Sequence, residues 1–260
     1  MSEIMLDSKH KLTKSPEATM FQMRTHGCYE LFCFLSGSAS FFVEGTVYHL
    51  KSGDIVLMKK AEAHRLMINQ SLPYERIVIM FNENAIVDDY KSEIISFLDS
   101  RPLGTKNIFP SNIVRNTNWI YYFKKICSLK STDKKRIYLT LLLLELKEHF
   151  PSLNYEYDIK DNIIDIITFI NENLAEELNL KNISEKFYIS QSQLNRRFKK
   201  ITGTTVWEYI ITKRLLLAKE LLKNGSRPTN VFLECGFSDY CSFYRAYRKK
   251  FGFSPKNDCK

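Results

Sequence analysis

The first third of the chain alternates short apolar runs with turn residues, whereas the remainder repeats its apolar residues at helical spacing. Between residues 20 and 82, turns at Gly37, Glu44-Gly45 and Gly53 separate the apolar runs. This pattern predicts six strands, at residues 31–36, 40–43, 46–50, 55–58, 64–68 and 76–81. Short strands at such close spacing are typical of a β-barrel or a β-sandwich.

From about residue 85 the apolar period becomes helical, and it predicts helices over residues 90–98, 118–129 and 132–150. The third helix is apolar over more than one face, so it must bury two sides. One side is expected to pack on the strands. The other side packs either on a second copy of the chain or elsewhere in the same domain. Residues 151–155 are the best linker candidate, and the chain after them is helical in pattern.

Charge is unevenly distributed along the 260 residues, whose net charge is +9. Residues 1–177 carry a net charge of −2, whereas residues 178–260 carry 17 basic and 6 acidic side chains, a net charge of +11. Such a basic region is attracted either to nucleic acid or to an anionic membrane surface. The chain contains no apolar run of the roughly 18 residues that a membrane span needs and opens with no secretory leader, so we expect a cytoplasmic protein.

The basic region contains an internal repeat with an offset of 49 residues. Each copy runs in the order N-cap, apolar residue, Arg, aromatic residue, two basic residues and Gly, from Ser190 to Gly203 and from Asp239 to Gly252. A shorter predicted helix precedes each copy, at residues 180–186 and 228–234. A short helix, a tight turn and a longer basic helix form a helix-turn-helix, whose second helix lies in the DNA major groove.

A predicted helix over residues 205–223 separates the two copies. Its length is about 28 Å at 1.5 Å per residue. Successive major-groove segments on one side of a DNA duplex are about 34 Å apart. A stiff spacer of this length therefore allows both longer helices to reach adjacent segments of one duplex.

Residues 178–260 resemble the DNA-binding domain of the AraC/XylS family of bacterial transcription regulators. The matching stretches are residues 194–203, then Tyr209, Arg214-Leu215 and Ala218, then residues 236–239, Phe243, Arg245 and residues 252–255. The resemblance implies two helix-turn-helix units, at about residues 179–203 and 228–252, that bind promoter double-stranded DNA. It also implies RNA polymerase as a further partner and a homodimer. Most relatives activate transcription, but the residues themselves do not fix the sign.

The family's base-contacting positions, transferred residue by residue, fall on the longer helix of each unit. They are Gln191, Ser192, Gln193, Asn195 and Arg196 in the first unit, and Tyr240, Cys241, Tyr244 and Arg245 in the second. Arg can bridge O6 and N7 of guanine, and Asn or Gln can pair with adenine. Tyr and Cys read bases less well, so we expect the second unit to contact phosphates more than bases. The alternative for Arg196 and Arg245 is a solvated or ion-paired surface arginine.

Four positions depart from the family pattern. Ser184 and Phe232 stand where a small Ala is usual in the short helices, Tyr188 stands where Gly is common, and Pro228 replaces an apolar residue. We expect Phe232 to require a repacked neighbour.

A second pattern lies among the predicted strands, where the spacing of His26, Glu30, Gly37, Gly53 and His64 is similar to the two motifs of cupin barrels. Those motifs bring two or more His and one Glu around a metal, but Arg24 replaces the first His here. Two His and one carboxylate still form a ligand set for a transition metal. We nevertheless expect no metal and no cofactor. Arg24, His26, Glu30 and His64 are expected to line a pocket for a small polar or anionic effector, with structural hydrogen bonding as the alternative.

The sequence therefore predicts an α+β protein of two domains. Residues 1–85 form a cupin-like β-barrel that senses the effector, residues 86–150 a helical dimerisation segment, residues 151–157 a linker, and residues 158–260 an all-α DNA-binding domain. The predicted function is effector-controlled regulation of promoters, without catalysis. The alternatives are a metal-dependent cupin enzyme fused to a DNA-binding module, and a ligand-independent module that anchors another protein to DNA.

Overall fold

The structure is a computed structural model that describes residues 3–16, 23–68, 72–101, 103–150 and 162–259. The chain divides into two compact units, Met1–Ile159 and Lys160–Lys260. The described strands belong to the first unit, and the described part of the second unit is helical, which confirms the predicted two-domain α+β class. The linker expected at residues 151–157 lies outside the described residues.

Within the described part of the first unit, the strands form two antiparallel sheets. They are β1 (Leu6–Thr13), β2 (Tyr29–Ser36), β3 (Ala39–Val43), β4 (Thr46–Leu50), β5 (Ile55–Met58), β6 (His64–Ile68), β7 (Tyr74–Phe81) and β8 (Ile108–Phe109). The larger sheet has the order β1-β7-β2-β5-β8, and the smaller sheet has the order β4-β3-β6. The six predicted strands are confirmed as β2 to β7.

The sequence pattern missed β1 and β8. β1 carries charged residues and is largely exposed, because it lies at the edge of the larger sheet. β8 has only two residues, and it pairs with β5 through Phe109 opposite Ile55 and Ile108 opposite Val56. The larger sheet therefore takes a strand from beyond residue 85, so the predicted barrel and helical segment interleave in space.

The central strand β2 is buried on both faces, since successive side chains of a strand point to opposite sides. Tyr29, Leu31 and Cys33 pack into an apolar cluster with the helices of the first unit. Phe32 and Phe34 pack into a second cluster with the smaller sheet. The larger sheet thus separates a helical layer from the space between the two sheets.

The helical layer consists of α1 (Asp88–Ser100), α2 (Ser111–Val114), α3 (Trp119–Ser128) and α4 (Thr132–His149). Of the two sides that α4 is predicted to bury, the structure shows one buried within the first, sheet-rich unit. One face is buried in the cluster that includes Tyr29 and Leu31, through Leu139, Leu142, Leu143 and Leu146. Ile137 and Leu141 project instead into solvent, with exposed fractions of 59% and 40%.

A buried ion pair fixes the chain between α1 and β8. The guanidinium of Arg101 binds the carboxylate of Glu62 through two hydrogen bonds of 2.8 and 2.7 Å. The backbone N of Gly104 and the amide of Asn107 donate to the same carboxylate at 3.0 Å each. Both partners are almost completely buried, so the carboxylate depends on these donors in place of water.

The second unit comprises α5 (Asn162–Glu172), α6 (Leu180–Lys186), α7 (Gln191–Thr202), α8 (Val206–Lys223), α9 (Pro228–Glu234), α10 (Tyr240–Phe251) and a short 3₁₀ helix, Pro255–Asp258. The predicted bounds of α6 and α9 are confirmed. α8 begins one residue later than predicted, because Thr205 is its N-cap and forms a capping box with Glu208. Among the described helices, none combines the length and apolarity needed to cross a membrane.

Candidate functional site

The ends of α7 and α10 are fixed by local hydrogen bonds that the sequence predicted. The side chains of Ser190 and Asp239 each accept a hydrogen bond from the backbone N three residues on, at 3.3 and 2.8 Å. Gly203 and Gly252 follow the helices with φ angles of 81° and 83°. This left-handed conformation favours glycine, so both predicted ends are confirmed.

Each of these helices buries one stripe and exposes the rest of its surface. The buried stripes consist of Leu194 and Phe198 in α7 and of Phe243 and Tyr247 in α10. Most of the predicted DNA-contacting residues are exposed, namely Gln191, Ser192, Gln193, Arg196, Tyr240, Cys241 and Arg245. Asn195 and Tyr244 are half-buried. The two arginines at the centre of the predicted surface therefore lie off the buried stripes.

Asn195 has a structural contact that its spacing did not predict. Its side-chain oxygen accepts a hydrogen bond from the backbone N of Val206, the first residue of α8, at 3.4 Å. The four backbone N–H groups at a helix start lack partners within the helix, so this contact satisfies one of them and joins α7 to α8. Arg245 bonds along its own helix, where Nε donates to the carbonyl of Cys241 at 3.3 Å.

Phe232 in α9 packs against an aromatic residue of α10. Its ring meets the ring of Tyr240 edge to face, with centroids 5.9 Å apart. The ring of Tyr240 lies in turn 6.2 Å from that of Tyr244. Tyr240 and Tyr244, which are both predicted to contact DNA, thus form an aromatic cluster with Phe232 in the second helix-turn-helix.

The first unit of the repeat accommodates its two departures differently. Ser184 is buried, and its hydroxyl donates to the carbonyl of Lys181 at 2.8 Å, so a polar side chain is satisfied where Ala is usual. Tyr188 adopts a φ of 51° in the turn between α6 and α7. Its side chain is 97% exposed, so no packing described for the chain compensates for this conformation.

The turn of the second helix-turn-helix is locked against the end of α5. Arg214 of α8 is buried, and it donates from Nε to the carbonyl of Leu174 at 2.9 Å and from Nη2 to that of Glu176 at 2.7 Å. A Cβ at Gly236 would lie only 2.4 Å from the Leu174 oxygen. Burial lowers the pKa of Arg214, and the two carbonyls supply the acceptors that water would otherwise provide.

In the sheet-rich unit, Met1–Ile159, the side chains of His26, Glu30 and His64 lie close together, as their spacing predicted. Nε2 of His26 lies 2.7 Å from Oε2 of Glu30, and Nε2 of His64 lies 3.6 Å from the same oxygen. The backbone of Arg24 pairs with that of His64 through hydrogen bonds of 2.8 and 3.0 Å, which places this short segment beside β6. All four residues of the predicted pocket thus lie in one region.

The three titratable groups differ in protonation. Burial opposes charge on His26, but its hydrogen bonds to Cys28 and Glu30 outweigh that effect and raise the pKa of His26 to about 10. Although burial acts in the opposite direction, the hydrogen bond from His26 and the neighbouring positive charges lower the pKa of Glu30. Burial lowers the pKa of His64. Near neutral pH the group is therefore a His26–Glu30 ion pair beside a neutral His64.

The same three side chains have a donor set that fits a divalent transition metal. Their ligand atoms all lie within 4.8 Å of one another. Nδ1 of His26 bonds to the carbonyl of Cys28 and Nδ1 of His64 bonds to that of Glu62, both at 2.9 Å, which leaves Nε2 of each ring facing Glu30. Such backbone contacts orient His ligands in metal sites, where the cation acts as a Lewis acid.

Arg24, Glu30 and His64 line a cavity of about 400 Å³, whereas His26, which is predicted to line the same pocket, is not among the residues that line it. Sequence reasoning missed several further basic residues that line it, namely Lys9, Lys11, Arg65 and Arg76. Two of these lie on β1, which was not predicted. The alternation of side chains along β7 places Tyr74 and Arg76 on the same face of the strand, which the sequence could have indicated. Only the pairing of β7 with β1 and β2 shows that this face lines the cavity.

The chain matches two family models. Residues 13–102 match the model for an AraC-like ligand binding domain, and residues 183–258 match the model for a helix-turn-helix domain. The chain belongs to the AraC/XylS family. The two-domain layout of that family corresponds to the sheet-rich and helical units of this structure.

Two curated relatives each match half of the chain or less. It is 30% identical over 130 residues to the HTH-type transcriptional activator RhaS of Escherichia coli O139:H28 (strain E24377A / ETEC), covering 50% of this chain and 46% of RhaS. It is 34% identical over 95 residues to the probable transcriptional regulator LumQ of Photobacterium leiognathi, covering 36% of this chain and 38% of LumQ. The matched region thus spans less than half the length of each of these relatives.

Solved structures also match the chain. ToxT from Vibrio cholerae is 15% identical, with 97% of each chain covered and a TM-score of 0.42. The DNA-binding domain of AdpA, solved in complex with a target DNA, is 26% identical over 38% of this chain and 89% of its own, with a TM-score of 0.37.

Proposed function

We propose that this protein binds promoter DNA through α7 and α10 and regulates transcription in response to a small molecule held in the cavity of the sheet-rich unit. The observation that carries the proposal is the repeated helix-turn-helix, which exposes Arg196 and Arg245 at equivalent positions. The region that contains both carries a net charge of +11. RhaS and LumQ are named as transcriptional regulators, which supports the same function.

The two helix-turn-helix units contribute differently to DNA recognition in this proposal. In α7, Gln193 and Arg196 are exposed and carry the chemistry that pairs with adenine and guanine. In α10, the aromatic cluster around Tyr240 leaves Arg245 as the charged residue of the predicted surface, suited to a phosphate or a guanine. Sequence specificity therefore comes mainly from α7, whereas α10 contributes affinity.

The experiment measures affinity for a promoter fragment, obtained by footprinting genomic DNA, as a function of salt. Arg196→Ala should weaken binding by about 1–3 kcal/mol and relax sequence preference, and Arg245→Ala should reduce the salt slope by about 1. Arg115→Ala is the matched control, because Arg115 is an exposed arginine of the sheet-rich unit, outside both helix-turn-helix units. If both helix variants bind with unchanged affinity and salt slope, α7 and α10 do not contact DNA.

The exposed stripe of α4 supports a homodimer. Ile137 and Leu141 are four residues apart on one face of a helix whose other face is buried, and large exposed apolar side chains are typical of interfaces. Ile137→Glu should shift the sedimentation profile from dimer to monomer. Leu12→Glu, which alters an exposed leucine on β1, should leave it unchanged. A protein that is monomeric before substitution contradicts the dimer.

RNA polymerase is the further partner that activation at a promoter requires. The name of RhaS as an activator supports this partner and the positive sign. Transcription in vitro from the footprinted promoter, with and without the protein, distinguishes activation from repression.

A second candidate function rests on the His26, Glu30 and His64 cluster, whose donor set fits a metal. It is a metal-dependent cupin activity coupled to the DNA-binding unit. Metal analysis of the purified full chain tests it. Stoichiometric metal that is lost in His64→Ala supports this candidate, and metal-free protein that responds normally to its effector rejects it.

A further inference from the structure

The register of the larger sheet places three cross-strand rows along the cavity. They are Lys11 with Arg76, then Lys9 with Val78 and Phe32, then Asp7 with Met80 and Glu30. Rows two residues apart along antiparallel strands are separated by about 7 Å. Over a short distance the cavity wall therefore changes from a cationic row to a row in which Phe32 and Val78 are apolar and Lys9 is cationic, and then to the row that contains Glu30.

The lining is strongly cationic. Five basic side chains line the cavity with two carboxylates, and the basic residues are Lys9, Lys11, Arg24, Arg65 and Arg76. Both carboxylates are already engaged, since Glu30 bonds to His26 at 2.7 Å and Asp7 lies 2.8 Å from Nζ of Lys9. Among the described residues that line the cavity, basic side chains thus outnumber carboxylates.

Arg24, Tyr74 and Arg76 all line the cavity. The guanidinium of Arg76 lies 4.5 Å from the centre of the Tyr74 ring and donates to the hydroxyl of Thr13 at 3.1 Å. Burial lowers the pKa of Arg76, and the positive charge of Arg24 acts in the same direction, although Tyr74 and Glu30 oppose it. A bound anion between the two arginines of this lining would favour the charged form of both.

The remainder of the lining is apolar. The rings of Phe32 and Phe41 meet edge to face with centroids 4.9 Å apart, and Leu66, Val78 and Met80 complete this part. Among the described residues that line the cavity there is no Ser, Thr, Asn or Gln. A neutral sugar needs both donors and acceptors around its hydroxyl groups, whereas this lining offers mainly donors.

We propose that the effector is a carboxylate with an aromatic or aliphatic body, whose carboxylate binds Arg24 and Arg76 and whose body packs against Phe32 and Phe41. This inference rests on the proposed function, in which the cavity holds the effector. Arginine presents paired N–H donors that match a carboxylate, and charge-assisted bonds of this kind are the stronger ones. A volume of about 400 Å³ lies at the small end of ligand pockets, which suits a compact organic acid.

The test is calorimetric titration of the full chain with 3-phenylpropionate and octanoate, each compared with its neutral amide. Both carboxylates should bind, and each amide should bind at least about tenfold more weakly, because it lacks the charge that the arginines recognise. Arg24→Gln and Arg76→Gln should each weaken carboxylate binding by about tenfold or more and remove the preference over the amide. Lys51→Gln, an exposed residue outside the cavity lining, should bind as the unsubstituted chain does.

Several outcomes overturn the proposal. They are equal affinity for acids and amides, tighter binding of glucose or phenyl phosphate than of the carboxylates, binding abolished by EDTA, and no binding of either carboxylate. Circular dichroism and DNA affinity of the arginine variants show that any loss is not due to unfolding. Because DNA affinity is measured separately, a chain that binds its promoter but neither carboxylate disproves the effector class alone. A chain that binds no DNA disproves the proposed function.

Discussion

Nε2 of His26 donates a hydrogen bond to the carboxylate of Glu30 at 2.7 Å within a largely buried site. The pKa of His26 in the folded chain, about 10, lies above its ordinary value of 6.5. Protonated His26 therefore contributes its full stabilisation below about pH 6.5, and that stabilisation is lost as the pH rises through about 10. The sheet-rich unit should lose thermal stability over this interval.

The measurement follows Trp119 fluorescence during thermal unfolding in a Trp207→Phe background, so that the signal reports the sheet-rich unit. Between pH 6.5 and 10, the melting temperature of the chain with His26 should fall more steeply than that of His26→Gln. His49→Gln, at an exposed position on β4, should keep the steeper slope. Parallel curves for all three proteins would show that His26 is not protonated in the folded state.

The Arg101–Glu62 pair should dominate the stability of the segment between α1 and β8. Arg101→Met should cost about 3–5 kcal/mol, because it leaves the buried Glu62 carboxylate without its main partner. Adding Glu62→Gln should recover part of that loss, since the neutral amide needs no counter-charge. Urea unfolding of the two single variants and the double variant gives the coupling energy. Strictly additive losses would refute a direct interaction.

Gly236 and Gly252 both have φ near 80° but differ in their surroundings. Gly236→Ala should destabilise the helical unit by about 3 kcal/mol or more, since its Cβ would overlap the Leu174 carbonyl and the Arg214 guanidinium. Nothing lies within 4 Å of a Cβ at Gly252, so Gly252→Ala should cost only about 1 kcal/mol of backbone strain. Calorimetry compares the two variants. Equal losses would mean that the close approach at Gly236 is relieved without cost.

Tyr188 should be replaceable with a gain in stability. Tyr188→Gly relieves a φ of 51° and removes a side chain that is 97% exposed, so we expect a gain of about 0.5–1 kcal/mol. Tyr188→Ala keeps a Cβ in the same backbone conformation and serves as the control without a gain. If Tyr188→Gly instead weakens DNA affinity while stabilising the fold, the exposed ring contacts the duplex.

The local structure was largely predictable, because it is encoded over a few residues. The N-caps Ser190 and Asp239 and the glycines at 203 and 252 define α7 and α10 through contacts within four residues. β1 could not be predicted, since its charged residues gain order only from pairing with β7, more than sixty residues away in sequence. Local patterns carry no information about such a partner.

The candidate site was predicted in part for the same reason. The spacing of His26, Glu30 and His64 identified the cluster, but the basic cavity lining depends on the register between β1 and β7. A shift of β1 by one residue in that register would turn Lys9 and Lys11 away from the cavity. The contact between Asn195 and Val206 likewise joins two helices whose packing no local pattern reveals.

The two faces of the single strand β2 border the cavity on one side and the helical layer on the other. Phe32 meets the cavity, while Leu31 and Cys33 on its reverse side share a packed cluster with the leucines of α4. Close-packed side chains leave no space to absorb a displacement, so a ligand that pushes on Phe32 also moves the surface against which α4 rests. A single strand thus joins the cavity to the helix proposed to form the dimer, so the two proposed functions of the sheet-rich unit share one backbone.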